Sequence, residues 1–328
     1  MKKVLITGSS GFVGSFLVEE CLERGLEVYA GVRASSSRQF LQDDRIHFFE
    51  MNFEDLPHLR QQCKAIDFDY VIHCAGLTKA ESEEGYMKVN CTYTQNLIEC
   101  LGEGRGLEKF VFISSLAAYG PADQQEEDLV REALPPRPIT AYGRSKLAAE
   151  QYIKGLQDFP YLIFRPTAVY GPREKELLAF YKIINRGIEP YIGFNQQQLT
   201  FIYVRDLVRI IADSLKASVT QAAYFVSDGQ SYPAQYLGQL TRESLSKRTF
   251  KIHVPLALVR GFAVITEQLG RISGKYPLFN LEKVKELESL NWKCDIRPLQ
   301  EDLGFQPRYL LDAGIPETMA WYKKHNWL

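Results

Sequence analysis

The chain has 328 residues, 45 % hydrophobic and 24 % charged, the composition of a globular protein too long for one small core. Its 39 Lys and Arg against 40 Asp and Glu leave a net charge of −1, which gives no electrostatic reason to expect nucleic acid as a partner. The six cysteines, at 21, 63, 74, 91, 100 and 294, form no C-x-x-C pair and no Cys/His cluster with zinc spacing, so a metal module is not expected.

In chain order, short apolar runs alternate with helical patterns through the first half. Strands are expected at V-L-I-T (4–7), E-V-Y-A-G-V (27–32), I-H-F-F-E (46–50), Y-V-I-H-C-A (70–75), K-F-V-F-I-S (109–114) and Y-L-I-F-R-P (161–166). The segment 12–24 repeats Phe12, Val13, Phe16, Leu17 and Cys21 at helical spacing. Strands apolar on both faces and separated by helices predict an α/β chain with a doubly wound parallel sheet. The apolar run begins at Val4, straight after Met-Lys-Lys, so no signal peptide is expected and the setting is read as cytoplasmic and reducing. After Pro172 the rhythm changes. Residues 173–198 read as one helix and a polar loop, and 199–220 as a strand and helix returning to the sheet. The expected division is a dinucleotide-binding domain over 1–172 and a smaller, mostly helical substrate domain over 173–198 and 221–328. The late apolar segment 254–270 is interrupted by Arg260 and Glu267, so stable membrane insertion is not expected. It reads as an amphipathic helix on a core or cleft, with a membrane-surface contact as the alternative.

Between the first strand and first helix stands T-G-S-S-G-F-V-G (7–14). In that position the glycines form a phosphate cradle: Gly8 for the tight turn, Gly11 for close approach to a diphosphate, Gly14 for helix–strand packing. The helix N-terminus adds partial positive charge at the same place. At the end of the second strand, Gly31 and Val32 occupy the positions where an NAD site carries an acid, and Arg33 follows with Arg38 near. An arginine clamps a 2′-phosphate that an acid would repel, so NADP is expected over NAD. A solvated loop arginine is the alternative.

The fifth strand ends in F-I-S-S-L-A-A-Y-G (112–120), and A-Y-G-R-S-K (141–146) follows the Pro-rich piece 134–138. Tyr142 and Lys146 are four apart, on one helix face. A tyrosine beside an ammonium loses its proton more easily than a free one. Tyr142 would then exchange a proton with a carbinol oxygen held by Ser115.

These segments, with V-I-H-C-A-G (71–76), V-N (89–90), R-P-T-A-V-Y-G-P (165–172) and F-I-Y-V-R-D-L (201–207), resemble the extended short-chain dehydrogenase/reductases, which include NAD-dependent epimerases and dehydratases. The likeness covers nearly the whole chain. It implies that Ser115, Tyr142 and Lys146 are the catalytic set, with Lys146 also on the nicotinamide ribose. It implies that Ala75 and Gly76 form the loop under the cofactor, that Asn52 replaces an adenine-contacting acid, and that Pro166 lies beside the nicotinamide. Ser10, Phe12, Val13, Phe53, Thr78 and Val169 complete the expected cofactor contacts. Asn90 is read as a structural tie. A homodimer through helices near 86–101 and 141–156 is expected from the same likeness, with Leu97, Ile98, Leu147 and Ile153 as apolar candidates.

Two polar anchors common in sugar-nucleotide epimerases are missing, because their positions hold Ala168 and Leu199, or Thr200 in a slipped register. No dehydratase-type Asp-Glu pair follows Ser115, where Leu116 and Ala117 stand. The expected activity is therefore hydride transfer between nicotinamide and a carbonyl or alcohol of an apolar small molecule, as in the hydroxysteroid-dehydrogenase-like and dihydroflavonol-reductase-like branches. A sugar-nucleotide epimerase or dehydratase and a non-catalytic cofactor-holding protein remain as alternatives.

Overall fold

The computed structural model describes residues 1–102, 106–122, 129–193, 197–273 and 281–328. The first half runs β1 (Lys3–Thr7), α1 (Phe12–Glu23), β2 (Glu27–Val32), β3 (His47–Glu50), α2 (Leu56–Ala65), β4 (Tyr70–His73), α3 (Glu83–Met87), α4 (Tyr93–Cys100), β5 (Lys109–Ile113), α5 (Ala141–Lys154) and β6 (Tyr161–Pro166). A single π-helical turn, Lys88–Thr92, joins α3 to α4. The second half runs β7 (Ala168–Tyr170), α6 (Leu178–Asn185), β8 (Ile188–Ile192), β9 (Gln198–Leu199), β10 (Phe201–Tyr203), α7 (Val204–Ser214), β11 (Ala222–Val226), β12 (Tyr232–Pro233) and α8 (Ala234–Leu245). It closes with β13 (Phe250–Val254), α9 (Leu256–Ser273), α10 (Leu281–Glu288), α11 (Arg297–Leu303) and α12 (Leu311–Lys324).

Seven parallel strands form the main sheet in the order β11-β6-β5-β4-β1-β2-β3. The order reverses between β1 and β4, and an open α/β sheet offers a ligand crevice at that switch. Alternation along each strand splits the core into two layers. Val4, Ile6, Val28 and Ile72 pack with Phe16, Leu17, Leu207 and Ile211 of α1 and α7. Leu5, Val71, Phe110 and Ile163 pack on the other face with Leu97, Ala149 and Ile153 of α4 and α5.

The architecture differs from the sequence reading in three places. Ala222–Val226, assigned to the smaller domain, is the edge strand of the main sheet, paired in register with β6. The strand at 201–203 does not join that sheet but pairs with β7, while α7 does return to pack on α1. Residues 173–193 hold a strand, β8, besides the expected helix, and its partner β13 lies some sixty residues on. Leu97, Ile98 and Ile153 are fully buried beneath their own helices, so of the four apolar candidates for a dimer face only Leu147 keeps any exposure. Among the described residues no helix is long and apolar enough to cross a membrane.

Candidate active site

The β1–α1 turn has the geometry its glycines allow. Gly8 sits at φ +68°, and a Cβ there would come within 2.7 Å of the Ala75 amide nitrogen on the β4 loop. A Cβ on Gly14 would lie 2.1 Å from the Gly8 carbonyl, so any side chain would push α1 off the strand. The Gly11 N–H donates to Gly8 O at 2.9 Å, and Ser9 Oγ donates to Gly31 O at 2.9 Å, tying the turn to β2. The N-terminus of α1 carries no side-chain cap and no acid in its first turn, and Gly11 is exposed. Ser10, Phe12 and Val13 are part-exposed around it. Such uncapped amides suit an anion.

A chain of neutral hydrogen bonds fixes this turn against the start of α5. Thr7 Oγ1 lies 2.7 Å from His73 Nδ1 and accepts the Ala75 N–H at 3.1 Å. His73 Nε2 lies 2.9 Å from Thr94 Oγ1, which itself donates to Asn90 O at 2.8 Å. One tautomer satisfies every partner: Nε2 donates to Thr94, and Nδ1 accepts from Thr7. The Asn90 side chain accepts from Leu77 N at 2.7 Å and donates to Leu77 O and Ser145 Oγ, which makes it the structural tie its sequence position suggested. Burial pushes His73 down to about 3. The folded His73 therefore stays neutral where an unfolded one, near 6.5, takes up a proton. Unfolding binds that proton between these values, so stability falls as pH drops through the window. Wild type is expected to lose about 1 kcal/mol more than His73→Asn between pH 6 and pH 5 in urea unfolding. Equal losses would show that His73 is not the group responsible.

Beyond β5 a short 3₁₀ turn, Leu116–Ala118, is capped by Ser115, whose hydroxyl accepts the Ala117 N–H at 3.1 Å. Helix α5 opens against it. Thr140 caps its first turn by accepting the Gly143 N–H at 3.1 Å, and a Cβ on Gly143 would meet the Ala117 carbonyl at 2.2 Å. This close contact brings Tyr142 beside Ser115, whose hydroxyl favours the ionised phenol. Lys146, buried one turn on, donates to the Ile113 carbonyl at 2.9 Å and lies 4.8 Å from the centre of the Phe112 ring. Gly76 lets the β4 loop pass over it, since a Cβ there would come within 3.0 Å of Lys146 Nζ.

The electrostatics differ from the sequence expectation. Burial raises the Tyr142 phenol above its ordinary value, and the Ser115 hydrogen bond pulls it only partly back. Lys146 is not a principal influence on Tyr142 because its ammonium is spent on a strand-end carbonyl; burial draws the lysine itself down to about 8. Tyr142 is thus a proton holder, suited to giving a proton to a developing alkoxide.

Helix α5 is anchored from below by ions. Arg165 of β6, 0 % exposed, bonds Glu150 of α5, 1 % exposed, with Nη2 to Oε2 at 2.6 Å and Nε to both oxygens at 3.0 Å. Ser114 Oγ also donates to Glu150, Glu132 completes the guanidinium's partners, and Tyr119 covers the guanidinium at 4.2 Å. From above, the later chain covers the site. The Ala141 N–H donates to Glu282 of α10, Lys283 pairs with Glu286 at 2.8 Å, and Lys79 of the β4 loop pairs with Glu176 at 3.1 Å. Glu286 and Glu176 both act on Tyr142 as negative charge. Thr78 Oγ1 also reaches Glu176, at 3.3 Å. None of these covering residues stands in a recognisable motif, because Glu176 and Glu282 are brought by the fold to Thr78 and Ala141, 98 and 141 positions away.

At the end of β6, Pro166 and Thr167 are buried and Val169 is part-exposed. The Thr167 hydroxyl is buried with no hydrogen-bond partner among the described residues, a group that a bound molecule would satisfy. At the other end of the crevice Gly31 leaves room for the Met51 thioether, which a Cβ there would meet at 2.7 Å. Arg33 and Arg38 are exposed, with Arg38 stacked 4.1 Å over Phe48. Asn52 Oδ1 accepts the Glu54 N–H at 3.0 Å, and Phe53 stacks on Tyr93 at 5.0 Å. The cradle, the open helix terminus and the orphaned hydroxyl together fit an extended dinucleotide.

Comparison with known proteins agrees with this geometry. A ceramide reductase from Caulobacter vibrioides is 24 % identical over 99 % of this chain and 96 % of its own length. A UDP-glucose 4-epimerase from Vibrio cholerae is 27 % identical over 99 % of this chain and 97 % of that protein. The solved UDP-glucose 4-epimerase from Thermotoga maritima, with UDP-glucose, superposes with a TM-score of 0.81 at 21 % identity, covering 99 % of both chains, which establishes a shared fold. The model of the NAD dependent epimerase/dehydratase family matches residues 4–226, from β1 to the last residue of the seven-stranded sheet. This chain therefore belongs to the NAD-dependent epimerase/dehydratase family and is an enzyme of that oxidoreductase group.

Proposed function

We propose that the protein is a nicotinamide-dependent carbonyl reductase, reversible as an alcohol dehydrogenase, acting on an apolar or amphiphilic small molecule through Ser115, Tyr142 and Lys146. The observation that carries the reading is the placing of Ser115, at the carboxyl end of β5, beside Tyr142 at the start of α5, with Lys146 buried one turn below. When bound, the nicotinamide supplies or receives hydride. Tyr142 Oη holds the proton exchanged with the substrate oxygen, and Ser115 Oγ orients that oxygen. Lys146 keeps a positive charge in the pocket below about pH 8. The similarity to a ceramide reductase supports reduction of a lipid-like substrate.

A sugar-nucleotide epimerase is the second reading, favoured by the likeness to the Vibrio cholerae enzyme. Three features weigh against it. Ala168 and Leu199 offer no charge to a diphosphate, the Thr200 hydroxyl is already donated to Trp292 O at 2.8 Å, and Glu176 with Glu286 puts negative charge beside Tyr142. Incubation with NADPH and a panel of ketones is expected to consume NADPH, while UDP- and dTDP-sugars are recovered unchanged. Isomerised sugar nucleotide without net NADPH loss would replace the first reading by the second.

The adenosine end supports NADP over NAD. Gly31 and Val32 carry no acid where an NAD site has one, and Arg33 is the first exposed side chain after β2. Arg33→Ala is expected to weaken NADPH binding about ten- to a hundred-fold and leave NADH nearly unchanged, as removal of one charge-assisted phosphate contact would. Titration by cofactor fluorescence measures both. A wild type that binds NADH as well as NADPH contradicts the assignment.

A further inference from the structure

Helix α9 presents two unlike faces. Val259 and Ala263 are buried against Val284 of α10 and pack with Ile192 and Val254. The outer face carries Leu258, Ile265 and Leu269, exposed by 65 %, 58 % and 60 %. Their spacing of seven and then four residues keeps them on one stripe. The segment is thus the amphipathic helix expected from the sequence, with one face on a small core and the other exposed. The β8–β13 ribbon that precedes α9 is apolar and exposed as well: Phe250, exposed by 82 %, registers with Ile188, also exposed, on the same side of the two strands. Grouped apolar exposure of this kind marks an interaction surface.

Charge says what the surface fits. Lys247 and Arg248 are exposed just before Phe250, and Lys182 and Arg186 are exposed just before Ile188. The two groups meet, since Phe250 N–H donates to Gly187 O at 2.9 Å. The acid in the ribbon, Glu189, is fully buried and bonded to Thr249 and Arg242, while Glu288 of α10 is paired to Arg260. Among the described residues the exposed charges here are mainly positive, with Glu243 the exposed acid beside Arg242 and Glu267 of α9 accepting the Leu281 N–H, in a chain whose net charge is −1. An apolar stripe with a basic rim complements an anionic lipid bilayer at its interface. The same element reaches the chemistry: α9 packs on α10, and Glu282 of α10 accepts the Ala141 N–H at the start of the helix carrying Tyr142.

We propose that this α9–β13 face rests on an anionic membrane surface, from which the enzyme takes an amphiphilic substrate. The substrate half rests on the reductase reading above; the docking half does not. The test is flotation of the whole protein with vesicles of phosphatidylcholine, alone or mixed with phosphatidylglycerol. Wild type is expected to float with the mixed vesicles and at least about tenfold less with phosphatidylcholine alone. Lys247→Glu with Arg248→Glu, two exposed positions that threaten no packing, is expected to lower flotation about tenfold or more, and Leu258→Asp with Ile265→Asp likewise. Unchanged melting temperatures certify that the variants fold. Tyr142→Phe should float as wild type does, so a failed reductase reading and a failed docking surface give different results. A folded wild type that ignores mixed vesicles overturns the proposal, as do charge-reversed variants that float undiminished. Dimerisation by light scattering that is lost in Leu258→Asp, with no flotation, assigns the face to a second copy and also overturns it.

Discussion

Tyr142→Phe is expected to lower turnover by about a hundred- to ten-thousand-fold, the range for loss of one positioned acid, while NADPH binding stays within about a factor of two. The ring remains and still packs near Tyr86, whose centroid is 6.2 Å away, so the variant removes one hydroxyl and nothing of the fold. The reason for so large an effect is that burial keeps the phenol protonated, and the carboxylates near it, Glu176 and Glu286, are each held in an ion pair with a lysine. Ser115→Ala is expected to lower turnover less, because it orients the oxygen without holding the proton. Steady-state kinetics with the best ketone from the panel, and fluorescence titration of NADPH, measure the two quantities separately. A Tyr142→Phe variant with wild-type turnover ends the mechanism proposed here.

Arg165→Met should produce the largest loss of stability of any single change in the sheet domain, about 3–5 kcal/mol by urea unfolding. The substitution leaves Glu150 buried with Ser114 as its remaining partner, and an unpaired carboxylate in that position is forced toward its protonated form. The double change Arg165→Met with Glu150→Leu is expected to recover much of the loss, since replacing a buried pair by apolar groups removes the stranded charge. Turnover offers a second readout. Glu150 sits eight residues beyond Tyr142 on α5, so loosening it should lower kcat with little change in cofactor affinity. If the single variant unfolds like wild type, the pair is not what anchors α5.

Of the first six strands, β1, β4, β5 and β6 are legible because they are covered on both faces and so read as nearly continuous apolar runs, while β3 at the sheet edge shows only a short aromatic pair. That rule fails for β11. Its A-A-Y-F-V run follows a turn in a region without βα rhythm, and its place beside β6 is set by pairing across some sixty intervening residues. It fails for β8, exposed on one face, and for β13, exposed at four of its five positions, and their mutual pairing supplies what neither segment signals alone. At the site, Gly8, Gly14 and the Tyr142–Lys146 spacing were readable because a turn or a helix fixes them locally. What could not be read is the carbonyl that holds Lys146, a backbone atom of β5, and the carboxylate that meets Ala141 from 141 residues downstream. The sign of the Tyr142 shift followed from those two: burial acts on the phenol, and the lysine is engaged elsewhere.

The bonds that run from Thr7 through His73 to Thr94, Asn90 and Ser145 link uncharged groups throughout. Dissolved ions do not screen such bonds. The contacts on the substrate side are of the opposite kind: Lys79–Glu176, Arg144–Glu83 and Lys283–Glu286 are ion pairs reached by solvent. Added electrolyte therefore loosens the cover over Tyr142 and leaves the frame of the phosphate turn as it was. The two ends of one crevice answer to ionic strength separately, and a change in salt is a change in how readily the substrate side opens.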